Sequence, residues 1–378
     1  MSSDLLETFI RQYIEASPGP VIQFTWHGGE PSLAGVEFFR RAVRLQQAYL
    51  PDGWECWNNL QTNGVLIDDE WCSFLAEAKF DVGLSLDGAA WLHDAYRKDR
   101  GGRGTYERAL AAVRRLQAHG IQPDLLCTVT STAAKEPTAV YKALRDLGTG
   151  WIQFIPIVCR DADGRVTSDS VTPEGYGRFL SAVFDEWLYN DIGRSAVQQF
   201  AEISMVWSGG TAGLCWMAPT CGRAVIVEKD GSVYSCDHFV NPEHRVGSLE
   251  TAHLGELVES PIQRDFGADK QRNLPGRCRA CAWLAICNGG CPKDRFIDDE
   301  NGDYGLYYLC DGLRQFFAHA ETPLKQVTAL MNKGVSPAEI MARLRAEEAE
   351  KWKGVGRNDP CPCGSGLKAK RCCMDKRV

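Results

Sequence analysis

The chain has 378 residues, 44% of them apolar and 24% charged, ordinary globular proportions that allow a large core and two or three domains. A net charge of −7 argues against a nucleic-acid-binding body, and no apolar run is long enough to span a membrane. The N-terminus, Met1-Ser-Ser-Asp-Leu-Leu-Glu, is an amphipathic helix start with Ser3 or Asp4 as cap, not a targeting peptide, so the expected location is cytoplasmic.

The first half alternates helix and strand. Helical periodicity over 4–16 precedes a short apolar strand, Val21 to Trp26. Helix 35–49, strand 56–62, helix 68–79, strand 81–86, helix 104–119, strand 124–130, helix 137–147 and strand 151–157 follow. Strands alternating with helices of this length indicate βα units around a parallel sheet, in a rhythm that suits an α/β barrel of the TIM type. Polar, glycine-bearing segments fall after the first three strands: His27-Gly-Gly-Glu-Pro31, Gln61-Thr-Asn-Gly64 and Ser85-Leu-Asp-Gly88. Any one of these could merely turn the chain. Three on the C-terminal rim, where barrels build their sites, point to a functional edge.

From about residue 173 the pattern changes. Two long helical stretches, 173–190 and 196–208, lead into a cysteine-rich segment. There, 223–228 and 232–235 flank Lys229-Asp-Gly231, a β-hairpin signal that ends in Cys236-Asp237. Residues 304–353 read as largely helical, and the charged run Arg343 to Lys353 as a solvated helix or linker.

Eight of the sixteen cysteines lie between Cys215 and Cys310, in the order C-x5-C-x14-C, C-x2-C-x5-C-x3-C and a final Cys. In a chain with no secretory signal this reads as two four-thiolate metal or iron–sulfur sites, not disulfides. Four thiolates hold either a [4Fe–4S] cube or zinc. A zinc ribbon offers two C-x2-C knuckles and only Cys278 and Cys281 form one, which favours iron–sulfur. Cys56, Cys72, Cys127 and Cys159 lie in apolar stretches and read as ordinary buried thiols.

This array, with the three rim loops, resembles the radical S-adenosylmethionine (SAM) enzymes that carry a SPASM iron–sulfur domain. Within them it is most similar to the anaerobic sulfatase-maturating enzymes. The wording that carries the subgroup includes His93-Asp-Ala-Tyr-Arg97, Gln153-Phe-Ile-Pro156, Pro219-Thr-Cys-Gly222, Tyr234-Ser-Cys-Asp-His-Phe239 and Cys287-Asn-Gly-Gly-Cys-Pro-Lys293. The resemblance runs from about residue 5 to 325.

The resemblance implies a partial (β/α)6 radical SAM barrel lacking its first strand over 1–200 and an α+β SPASM domain over 201–325. A helical linker over 326–353 and a small zinc-binding tail over 354–378 would follow. It implies oxidation of a cysteine or serine of an unfolded or nascent sulfatase to formylglycine, with a reductant such as ferredoxin or flavodoxin. Gly28, Gly29, Glu30 and Pro31 would meet the methionine ammonium of SAM, and Ser85 and Arg97 the rest of it. Cys215, Cys221, Cys236 and Cys291 would hold one auxiliary [4Fe–4S] cluster, and Cys278, Cys281, Cys287 and Cys310 the second. Asp237 would be the general base, its pKa raised by desolvation beside a cluster. His93 and His238 are expected to be structural.

Two departures stand out. A glutamine often precedes the glycines in the maturases, whereas His27 has the wording of related enzymes that modify ribosomal peptides. No C-x3-C-x2-C spacing precedes residue 215, so the cluster that cleaves SAM has no ligands in this sequence, and the chain as written is not expected to initiate the radical reaction. A start site placed too far downstream, a truncated gene and a degenerate paralogue are the readings. An iron–sulfur and zinc adaptor without catalysis is the non-enzymatic alternative.

The tail, Gly356-Arg-Asn-Asp-Pro-Cys-Pro-Cys-Gly-Ser-Gly366 with Lys370-Arg-Cys-Cys373, resembles a SEC-C motif. Its spacing would let Cys361, Cys363, Cys372 and Cys373 ligate one Zn2+, the metal standing in for a core and the motif serving to dock a protein partner.

Overall fold

Six parallel strands pair side by side in chain order: β1 (Val21–Trp26), β2 (Glu55–Thr62), β3 (Phe80–Ser85), β4 (Asp124–Val129), β5 (Trp151–Pro156) and β6 (Ala196–Val197). The computed structural model describes residues 1–362, 366–371 and 374. Sequential order is that of a barrel wall; a doubly wound sheet reverses direction partway. With β1 and β6 both at edges, the wall is open.

Between and before the strands lie α1 (Ser3–Ala16), α2 (Val36–Tyr49), α3 (Asp69–Glu77), α4 (Ala90–Tyr96), α5 (Tyr106–Ala118), α6 (Pro137–Arg145) and α7 (Pro173–Asn190), and α8 (Gln198–Trp207) follows β6. Side chains alternate across the sheet as the strand period requires. Ile22, Phe24, Leu60, Val82, Leu84, Leu125, Cys127, Ile152 and Phe154 are buried on one face. The intervening positions include Gln23, Thr25, Asn59, Gln61, Ser85, Thr128 and Gln153, a polar opposite face that a packed sandwich would not tolerate. One buried polar residue on the helix side, Asn58, exchanges amide bonds with Gln46 at 2.9 Å and accepts from the Trp26 indole at 2.8 Å.

The second region begins with a three-stranded antiparallel sheet: β7 (Ile226–Val227), β8 (Ser232–Tyr234) and β9 (Arg245–Ser248). Short helices α9 (Leu254–Val258), α10 (Pro261–Arg272), α11 (Gly276–Arg279) and α12 (Leu284–Cys287) lead to a hairpin of β10 (Arg295–Asp298) and β11 (Tyr304–Tyr307). The long α13 (Cys310–Asn332) returns to the barrel, and α14 (Pro337–Lys351) follows.

Contacts at two ends join the regions. Phe184 of α7 packs at 6.0 Å on Phe316 of α13, and both rings meet Phe200 of α8. At the other end, Gln12 of α1 accepts the Leu254 N–H at 2.9 Å, while Leu5, Phe9 and Tyr13 pack against the cluster around Val233 and Leu249. The cysteine-bearing region is therefore clamped to the barrel from both sides.

Several sequence expectations change. Ser2, not Ser3 or Asp4, caps α1, accepting the Leu5 N–H at 3.2 Å. The start of the 304–353 stretch is strand β11, because it pairs with β10. The charged run of α14 is docked: Ile340 and Leu344 are buried, and Arg345 donates to the Tyr189 carbonyl. Helix α4 and the two-residue β6 lacked a readable period. Of the four scattered cysteines Cys72 and Cys127 are buried, Cys56 is half-buried and Cys159 is exposed. Among the described residues no helix is long and apolar enough to cross a membrane.

Candidate active site

Parallel pairing places the C-terminal ends of β1, β2 and β3 on one edge, so the three glycine-bearing loops are neighbours. In the first, Gly28 and Gly29 have φ of +92° and +22°, conformations that disfavour any residue with a Cβ. Glu30 then turns inward. One carboxylate oxygen accepts the Ser32 N–H (3.0 Å), the Ser32 hydroxyl (2.6 Å) and the Thr62 hydroxyl (2.7 Å); the other accepts the Asn63 N–H (2.8 Å). Pro31 opens the short 3-10 turn Pro31–Ala34.

The second and third loops are joined similarly. Gln61 donates to the Ser85 hydroxyl at 3.3 Å. Asp87, nearly fully buried, accepts the Thr128 N–H (2.7 Å) and hydroxyl (2.8 Å), and Arg97 grips it with Nε at 2.5 Å and Nη2 at 3.1 Å. Arg97 is thus held as a two-pronged pair with its own carboxylate. His93 is buried, bonded to the Asp87 N–H and to Thr105; burial, partly offset by Asp87, lowers its pKa, which suits a structural ring.

Across from the first loop stands Asp237, in a 3-10 turn directly after Cys236. The Cys236 thiol donates to its carboxylate at 3.1 Å. Desolvation pushes the Asp237 pKa up, but that thiol, His238 and His27 outweigh it, and the net shift is downward. With Cys236 as a thiol, that donor and two imidazoles outweigh partial burial; the elevation expected beside a cluster concerns the cluster-bound thiolate. His27 belongs to the first rim loop, so its charge reaches Asp237 from the barrel edge.

The eight central cysteines form two groups. Cys278, Cys281, Cys287 and Cys310 line one small cavity with Trp283, Leu284 and Phe317. Burial pushes Cys287 up to about 12 and Cys310 to about 11. Cys291 lies within electrostatic reach of Cys215 and Cys221, and Cys236 within reach of Cys291. Burial, chiefly, raises Cys291 to about 11. Among the described residues no three His, Cys, Asp or Glu converge as a single-ion site requires. Thiols that ring a cavity instead of meeting at a point suit a cluster several atoms wide.

Three side chains at this junction carry no readable signal in the sequence. Lys270, 1% exposed, donates to the carbonyls of Cys215 (2.8 Å) and Trp216 (2.9 Å). Arg295 donates to the carbonyls of Gly289, Asn288 and Lys270 at 2.5–2.7 Å. Tyr307, paired with Arg295 across the β10–β11 hairpin, is buried within reach of both Cys287 and Cys291. Arg295 follows Cys291 by four residues and is the nearer to the cysteine run; Lys270 precedes Cys278 by eight.

In the tail, Cys361 is buried, its N–H donating to the Leu367 carbonyl at 2.8 Å, and Pro360 bridges to Lys368. Cys363, Cys372 and Cys373, the other expected zinc ligands, lie outside the described residues.

Comparison with known proteins finds the radical SAM superfamily model over residues 1–138, the SPASM iron–sulfur cluster-binding domain over 215–282 and the SEC-C motif over 357–375. A serine-type anaerobic sulfatase-maturating enzyme of Bacteroides thetaiotaomicron is 37% identical, covering 91% of this chain and 87% of its own length. A cysteine-type enzyme of Clostridium perfringens is 33% identical over 85% of this chain and 86% of its own. A solved structure, native anSMEcpe with bound AdoMet and Kp18Cys peptide, superposes with a TM-score of 0.80 at 31% identity, covering 87% of this chain and 91% of that one. SuiB of Streptococcus suis, at 14% identity and a TM-score of 0.54, shares the fold.

Proposed function

The chain belongs to the anaerobic sulfatase-maturating enzymes of the radical SAM superfamily, and on that premise we propose that it oxidises a cysteine or serine of a sulfatase polypeptide to formylglycine. The observation that carries this reading is a preorganised glycine–glutamate rim loop, Glu30 tying Ser32, Thr62 and Asn63 together, in a chain whose Asp237 is bonded to the thiol of a cage cysteine. A peptide substrate is consistent with the peptide-bound relative.

Radical SAM enzymes with a SPASM domain use SAM and iron–sulfur clusters, and the donor sets here fit them: two groups of four thiols, one of them lining a cavity. Hydrogen abstraction at the substrate Cβ would need SAM and a SAM-cleaving cluster, for which this sequence holds no C-x3-C-x2-C ligands, while the two auxiliary clusters would supply an exit for the remaining electron. In our reading Cys215, Cys221, Cys236 and Cys291 hold one auxiliary [4Fe–4S] cluster, and Cys278, Cys281, Cys287 and Cys310 the other.

The chain's own residues bind and orient. Gly28 and Gly29 let the backbone approach the SAM ammonium, and Glu30 holds the loop in that shape while presenting negative charge. Ser85 and Arg97 contact the rest of the cofactor, Arg97 being aimed by Asp87. Asp237 takes the thiol or hydroxyl proton of the substrate. A carboxylate is ionised at neutral pH, the state a base requires. We assign the reductant to a ferredoxin or flavodoxin, the location to the cytoplasm, and one Zn2+ to the tail cysteines, with a protein partner for the tail.

The test is anaerobic expression of the full reading frame with a sulfatase carrying C/S-x-P-x-R. An aldehyde trapped by a hydrazine reagent on that residue, and lost with Asp237→Asn, is the expected result. An iron-loaded protein that leaves the residue unmodified would overturn the reading.

A further inference from the structure

Among the described residues, Lys270 and Arg295 beside the cysteine turns have no carboxylate within ion-pair distance. Lys270 is buried, and the atoms it bonds are carbonyl oxygens, which supply dipoles but no counter-charge. Arg295 is likewise committed to carbonyls, one of them that of Lys270 itself, so the two are mechanically linked. Burying a cation is costly unless an anion compensates it.

The backbone they hold belongs to the cages. Lys270 holds the carbonyl of Cys215, a ligand of one cage in our reading. Arg295 holds the carbonyls of Asn288 and Gly289, in the turn between Cys287 of one cage and Cys291 of the other, and that of Lys270. Metals and clusters take cysteine as thiolate, so filling the cages brings negative charge to these two cations.

We propose that Lys270 and Arg295 form a fixed cationic layer between the two cages, which neutralises part of the negative charge of both iron–sulfur clusters and sets their reduction potentials. Reduction adds negative charge to a cluster, so a nearby buried cation favours the reduced form and raises the potential. Arg295 acts on both clusters because it holds the turn between Cys287 and Cys291; Lys270 acts mainly on the cluster held by Cys215, Cys221, Cys236 and Cys291. Both are positioning residues for the electron path, and neither touches substrate. The inference rests on the cages holding clusters, as proposed above.

The experiment is an EPR-monitored redox titration of the anaerobically reconstituted protein, with iron content measured alongside. Lys270→Met is expected to favour oxidation of one cluster at least tenfold at fixed potential, a shift of about 59 mV for a one-electron couple. Arg295→Gln should shift both clusters the same way, and Lys270→Arg should match the unmodified protein. Wild-type iron with unshifted potentials in both Lys270→Met and Arg295→Gln overturns the proposal. If Lys270→Met loses iron while keeping its helix content, recovery in Lys270→Arg supports a charge role; loss in both assigns Lys270 to packing and overturns it. An unmodified protein that takes up no iron removes the cluster reading itself, a failure distinct from these.

Discussion

Glu30 accepts the Asn63 backbone N–H at 2.8 Å, so one carboxylate ties the loop after β1 to the loop after β2. Its other oxygen is occupied by Ser32 and Thr62, which leaves it little freedom to turn. The loop that would present negative charge to a SAM ammonium is built before the cofactor arrives. Preorganisation of this kind lowers the ordering cost of binding.

Glu30→Gln tests that clasp. Glutamine has one acceptor oxygen, and its amide nitrogen would face either the Asn63 N–H or the hydroxyls. The change should destabilise the protein by about 1–3 kcal/mol and weaken SAM binding. Urea unfolding and equilibrium dialysis with labelled SAM read the two effects. An unchanged unfolding midpoint would show that the clasp adds nothing to stability.

Gly290→Ala should be among the most damaging small changes. Gly290 has φ +69°, and a Cβ there would lie 2.5 Å from the Tyr307 ring. Left-handed strain and the clash together should cost about 2–4 kcal/mol. Because Cys287 and Cys291 flank this turn, iron uptake should fall as well. Circular dichroism melts and an iron assay check both; a variant with native melting and full iron would contradict the packing described.

Cys310→Ser separates the two cages. Cys310 lies at the start of α13 and lines only the cavity shared with Cys278, Cys281 and Cys287. Two cubane clusters predict about eight irons per chain, so the variant should hold about four. Loss of all iron would mean that the cages do not assemble independently.

His319 and Asp185 give a pH signature away from the site. Their 2.6 Å contact joins α13 to α7, and that hydrogen bond, opposed by burial, raises His319 above its ordinary 6.5. A folded pKa above the unfolded one gives stability that is fully present below about 6.5 and is lost as pH rises through the folded value. His319→Gln should flatten that part of the melting-temperature profile between about pH 5.5 and 8. A slope identical to that of the unmodified protein would assign it to other groups.

Much of this was legible in the chain. The 3.6 and 2.0 periodicities place β1 to β5 and most of their helices within a few residues, because those elements bury continuous apolar faces. Strands β6, β10 and β11 have four residues or fewer and helix α4 has seven, less than two turns, too short for either period to emerge. At the site, the loop glycines and cysteines could be read because few residue types can do their work. Charge balance could not: at Asp237 the Cys236 thiol, His238 and, from a distant segment, His27 together outweigh burial.

What the sequence by itself determined is the donor chemistry, namely eight thiols at fixed spacings and three polar loops following strands. Spacing and residue type are local properties and survive without coordinates. What only the tertiary structure decided is how charge is shared between distant segments: Glu30 across two loops, Arg97 on Asp87, and Lys270 with Arg295 between two cages. Electrostatic energy depends on distance and burial, and neither exists until α10, the β10–β11 hairpin and the cysteine turns are brought together.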